Sequence, residues 1–152
     1  MSNARSAYRE ADVRGASPVR LVILLYEQAI QDLREAVSAM EKNNIELRTN
    51  RINHAIEVIA RLQVTLDKER GGAVARNLES FYEFLRAHLC RAQLRASKQE
   101  LQHLITDLFA VREAWMEVDR TESLRQNSPP EADESAPPGG ASSELAPAGW
   151  SG

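Results

Sequence analysis

The sequence predicts an all-α protein: an antiparallel four-helix bundle with an extended N-terminal arm and a disordered C-terminal tail. Three observations carry that prediction. Between Ser17 and Arg125 no stretch alternates apolar and polar residues as a half-buried strand would. In the same span, four segments repeat apolar residues every three or four positions, the period of one helical face. Each segment is bounded by residues that cap helices or turn the chain, and the connections are short enough to force neighbouring helices antiparallel.

The first helix opens with Ser17 as N-cap and Pro18 at N1, where proline's missing N–H costs nothing, and runs to about Lys42. Its core stripe is Val22, Tyr26, Ile30, Leu33, Val37 and Met40. Asn43-Asn44 breaks it, and Asn43 with Glu46 three residues later reads as the cap of a second helix. That helix extends to about Glu69 with Ile52, Ile56, Ile59 and Leu66 inward, and Lys68 and Arg70 lie near its negative end. Gly71-Gly72 supplies the next turn. The third helix then reaches about Arg95 on a stripe of Val74, Leu78, Phe81, Leu85 and Leu89. Ser97-x-x-Glu100 is a capping box that starts the fourth helix, which reads on to Leu124. Its apolar residues Leu101, Leu104, Leu108, Val111, Trp115 and Val118 are spaced 3, 4, 3, 4, 3, the seam of a left-handed bundle.

The organisation is therefore an arm over 1–16, a bundle over 17–125 and a tail over 126–152. The tail holds five of the six prolines and four of the seven glycines with almost no large apolar residue, a composition that cannot form a core. It also carries Glu131, Asp133, Glu134 and Glu144 beyond the last base, Arg125, so of the 22 acids 18 remain to face all 19 bases. Those bases are scattered rather than gathered on one face, which argues against nucleic acid as a partner. The longest apolar run is 21–26, far short of the ~20 residues of a membrane span, so no membrane insertion is expected. The first residues lack the apolar core of a signal peptide, which points to the cytosol. Cys90, the single cysteine, lies among apolar helical residues and reads as a small buried hydrophobe.

One stripe satisfies a surface helix, so apolar residues away from it need a further account. Leu21 and Leu24 on the first helix, Val58 and Val64 on the second, Phe84 on the third, and Phe109 and Met116 on the fourth all project off-stripe. A central helix buried on two sides explains some of them; together they indicate apolar surface available to a partner helix or to the arm. Catalytic motifs are missing, and His54, His88 and His103 fall on three different helices. Glu100-x-x-His103 matches half of the paired element of di-metal carboxylate bundles, but only one copy occurs and Glu100 is already accounted for as a cap. Three function classes follow: a peptide-binding module, a self-associating structural bundle and, with least support, a di-metal carboxylate bundle enzyme.

Several strings resemble the flagellar secretion chaperone (FliS) family over roughly Tyr8 to Val118. Ala16-Ser17-Pro18 leading into Leu21 to Glu27 is similar to the family's "ASP…L…LY(D/E)" opening, with Tyr8 in the arm before it. Ile52-Asn53-His54-Ala55 resembles "INKA", and Leu66-Asp67-Lys68-Glu69-Arg70-Gly71-Gly72 resembles "LDxEKGG". The segment Asn77 to Phe84 resembles "NLxxLYxYM", and Arg112-Glu113-Ala114-Trp115 matches "REAW". Departures are Asp12 where the family often has Gln and Gln93 where Asn is usual.

The resemblance implies a non-enzymatic cytosolic export chaperone without a cofactor. It would hold the disordered C-terminal segment of flagellin, prevent premature polymerisation and deliver it to a component of the flagellar export gate. It also implies that the arm around Tyr8 and Val13 covers part of a groove until the client displaces it. The groove or groove-supporting positions expected on this reading are Leu21, Leu24, Val58, Leu78, Phe81, Tyr82, Phe84 and Leu85, of which Phe81 and Leu85 also sit on the core stripe. A monomer or weak homodimer is expected.

Overall fold

A computed structural model describes residues 17–95 and 97–127, and all secondary structure among them is helical. The helices are α1 (Pro18–Glu41), α2 (Ile45–Thr65), α3 (Lys68–Arg95) and α4 (Lys98–Gln126). The arm with Tyr8 and Val13, and the tail from residue 128, lie outside the described residues. The chain divides into two compact units at Asp119/Arg120. The bundle lies in the first; among the described residues of the second, 120–126 are the last of α4.

Local chemistry sets each boundary. Ser17 Oγ accepts the Arg20 N–H at 3.1 Å and starts α1 with Pro18 in its first turn. At the other end, Asn43 turns to a φ of 57°. Its N–H donates to Met40 O at 3.1 Å, and the Asn44 N–H donates to Ala39 O at 2.8 Å. This is a Schellman closure, with asparagine tolerating the left-handed position. Asn43 therefore ends α1, and it is Asn44 that caps α2 by accepting the Leu47 N–H at 3.1 Å, one residue later than the sequence predicts.

The α2–α3 connection also departs from expectation. Helix α2 stops at Thr65, short of Glu69, because Leu66 is extended and Asp67 captures the Arg70 N–H at 3.2 Å to begin a new turn. Gly72 then interrupts α3 with φ 54° and ψ −133°. Past this kink the inward line is Ala75, Leu78, Tyr82, Leu85, Leu89 and Ala92, which differs from the predicted stripe in having Ala75 in place of Val74 and Tyr82 in place of Phe81. Val74 is consequently 66% exposed and Phe81 half-buried, while Tyr82 is in the core. In α4, Ser97 Oγ accepts the Glu100 N–H at 3.1 Å as predicted. Leu101, Leu104 and Leu108 are fully buried, but the seam fades toward Trp115, and Val118 is 42% exposed rather than core.

Polar pairs show the antiparallel packing. Lys98, Arg112 and Asp119 along α4 meet Glu41, Glu27 and Arg20 in reverse order along α1. Arg86 and Gln93 on α3 meet Gln63 and Asn53 on α2 in the same reversed sense. The core they enclose runs through Tyr26 and Leu33 of α1, Ile52, Ile59 and Leu62 of α2, Leu85 and Leu89 of α3, and Leu104 and Leu108 of α4. Helix α1 is the central element: Ile23 and Leu24 are buried beside its main stripe, which explains why Leu24 lies off-stripe without being exposed. No helix among the described residues is long and apolar enough to cross a membrane.

Candidate peptide-binding groove

Beside the extended Leu66 and the new turn at Asp67 lies a groove of about 270 Å³, lined by the 65–71 stretch, α3 and residues of α1 and α4. Val22 of α1, Leu66, Leu78 and Tyr82 of α3, and Trp115 of α4 give it an apolar lining. Exposed Val74 stands at its edge, and Asp67 and Arg70 supply a polar rim, paired at 3.6 Å. Among the described residues its lining holds no carboxylate pair, nucleophile with a base, or phosphate cradle. Its chemistry suits apolar side chains presented by a helix.

The floor is rigid. The Tyr26 and Tyr82 hydroxyls share a hydrogen bond of 2.8 Å, with both rings buried and their centroids 6.2 Å apart. Burial pushes both phenols above the ordinary tyrosine range, so both stay neutral and the bond persists across physiological pH. Arg112 of the Arg-Glu-Ala-Trp string ties α4 to α1 by donating from Nε and Nη2 to Glu27 Oε2 at 3.0 and 2.6 Å. Its guanidinium also lies 5.6 Å from the centre of the Phe109 ring. One motif thus anchors the helix that presents Trp115.

Of the expected positions, the groove brings together Leu78 and Tyr82. Leu21 and Phe81 are half-buried, while Leu24, Val58 and Leu85 are buried in the bundle. Phe84 is 43% exposed and stacks on His88 with centroids 4.0 Å apart, on a separate part of α3. Val64 and Phe109 also remain exposed. The other apolar lining residues, Val22, Leu66, Val74 and Trp115, are ones that periodicity assigns to core stripes. The signal that could have found them was the coincidence of Leu-Asp…Gly-Gly with a lone bundle tryptophan.

A second polar feature lies between α1 and α2. Asp32 is fully buried on the face of α1 that also carries Ala29, Ala36 and Ala39; its carboxylate meets His54 Nδ1, accepts from Gln28 Nε2 at 2.9 Å and lies 3.5 Å from Arg51 Nη1. Burial raises its carboxyl above the usual range, against hydrogen bonds from His54 and Gln28 that lower it. An acid in an alanine stripe, at i+3 from Ala29, was the legible sign. Among the described residues no group of three or more His, Cys, Asp or Glu side chains is arranged to hold a metal. Cys90, expected in the interior, is exposed.

Comparison with known proteins gives a consistent result. The sequence profile of the family described as flagellar protein FliS matches residues 1–122. The flagellar secretion chaperone FliSB of Pseudomonas aeruginosa is 36% identical over 106 residues, covering 70% of this chain and 84% of the relative. FliS of Vibrio cholerae is 29% identical over 122 residues, covering 78% and 90%. FliS of Salmonella typhimurium is 29% identical over 119 residues, covering 78% and 88%.

Proposed function

Because the chain belongs to the flagellar protein FliS family, we propose that it is a non-enzymatic export chaperone acting in the cytoplasm. Its client on this reading is the disordered C-terminal segment of flagellin, which it keeps from polymerising and delivers to a component of the flagellar export gate. The observation that carries the proposal is the apolar groove bounded by Leu66, Leu78, Tyr82 and Trp115. It is preformed over a hydrogen-bonded floor, so a client orders itself on a surface that need not reorganise.

Magnitudes argue for a long client segment rather than a short peptide. Each well-buried aliphatic or aromatic anchor contributes about 1.5–3 kcal/mol. Association alone costs on the order of 4–15 kcal/mol, to which helix nucleation adds. One groove is too little, and several anchors spread over the bundle are required. Exposed Phe84 and Phe109 offer apolar surface elsewhere on α3 and α4. The arm residues Tyr8 and Val13 act as an internal competitor for the groove. Such competition lowers apparent affinity while shielding an adhesive surface.

Isothermal titration calorimetry against a peptide of the C-terminal segment of flagellin from the same organism tests this reading. Saturable one-to-one binding with a negative heat-capacity change is expected, unchanged on removal of residues 126–152. Absence of binding to a soluble, verified peptide overturns flagellin as the client.

A further inference from the structure

The outer wall of the groove is the short stretch 66–71, and its placement depends on two adjacent glycines for different reasons. At Gly72 a φ of 54° with ψ −133° is open to glycine and costly for any L-residue, yet a Cβ there would meet nothing within 4 Å. The requirement at Gly72 is conformational. At Gly71 a Cβ would come 2.5 Å from the Ala75 Cβ, so the requirement there is space. The kink turns the first residues of α3 back on the helix, bringing Lys68 Nζ to 2.8 Å from Glu79 Oε2. In a continuous helix residues this far apart would be separated by about 16 Å along the axis at ~1.5 Å per residue, beyond the reach of both side chains.

We propose that Gly72 is a positioning residue for client binding: by holding the 66–71 turn off the α3 axis it sets the separation of Leu66 from Leu78 and Trp115, and the Lys68–Glu79 pair keeps the turn in place. The inference rests on the reading of this groove as the site of the flagellin segment. An L-residue at this position drives the stretch toward a continuous helix, which moves Leu66 and Asp67 away and opens the wall. The apolar face of the client then loses contact on one side.

The test is calorimetric titration of the full chain with the flagellin C-terminal peptide, alongside circular dichroism and hydrogen exchange over residues 66–79. Gly72→Ala is expected to weaken binding about tenfold while total helicity is kept or raised and exchange over 66–71 changes. A D-alanine replacement of Gly72, introduced by ligation at Cys90, favours the mirror-image conformation and is expected to restore affinity to within about twofold, which a general loss of stability would not do. Should Gly72→Ala fail to fold, Lys68→Met and Glu79→Gln decide, each weakening binding about two- to fivefold with no further loss when combined. Wild-type affinity in the folded Gly72→Ala protein, or in both latch variants, overturns the inference and leaves the functional reading intact. Failure of the wild-type protein to bind the peptide overturns both.

Discussion

At the Gln93 end of the α2–α3 pair, side-chain amides join the helices. Gln93 Nε2 donates to Thr49 O at 3.1 Å and to Asn53 Oδ1 at 2.9 Å, and Arg48 reaches Gln93 O. At the Asp67 end the connection carries an extended Leu66 and a kinked Gly72, and the groove lies beside it. The contrast teaches how one helical hairpin serves two needs. A hydrogen-bond network fixes register at the closed end, and beyond the Arg86–Gln63 bond the lining of the open end is mainly apolar and open to another chain.

Five substitutions break or sharpen this contrast. Leu85, buried between the two ends, sets the scale: Leu85→Ala is expected to lower stability by about 2–5 kcal/mol, measured by urea denaturation. Under the open end, Tyr82→Phe removes the hydrogen bond between the buried Tyr82 and Tyr26 hydroxyls, while Tyr26 keeps its side-chain hydrogen bond with Trp115, and costs about 1–1.5 kcal/mol. At the closed end, Gln93→Ala loses two hydrogen bonds whose acceptors are reachable by water, and costs only about 1 kcal/mol without altering client affinity.

Asp32 separates pairing from burial. Its raised folded-state pKa means that folding favours the protonated form; the favourable contribution is complete below the unfolded value and is lost as pH rises through the folded value. Asp32→Asn is therefore expected to raise the melting temperature at pH 8, with the gain shrinking as pH falls toward about 4. A lower melting temperature at pH 8 would show that His54 and Arg51 outweigh burial. The smallest stability effect belongs to exposed Phe84: Phe84→Asp stays within about 0.5 kcal/mol of wild type while weakening client binding. A collapse of helicity would assign Phe84 to the core instead.

Much of the fold was legible because caps and seams obey short-range rules. Ser17 and Ser97 cap as their sequences indicate, and the 3-4 spacing of α4 locates Leu101, Leu104 and Leu108 inside. Legibility failed where two neighbouring residues could fill one role. Either Asn43 or Asn44 could cap α2, and only the Schellman closure of α1 decides between them. On α3 two adjacent apolar pairs offered the same choice, and Ala75 and Tyr82 are buried where the sequence pattern favoured Val74 and Phe81. The groove was half legible: Leu78 and Tyr82 were anticipated, but Val22, Leu66 and Trp115 were hidden, since periodicity gives an inward direction without saying whether it ends in core or in an adjoining cleft. Cys90 shows the converse, an apolar neighbourhood in sequence that is solvent in space.

Trp115 sits half-buried at the groove, and the chain's other tryptophan is Trp150. That placement gives the protein an intrinsic optical reporter. With Trp150→Phe removing the second chromophore, an occupant covering Trp115 shifts its fluorescence to shorter wavelength and shields it from aqueous quenchers. Arrival and departure of a client could then be followed in real time without attaching a dye.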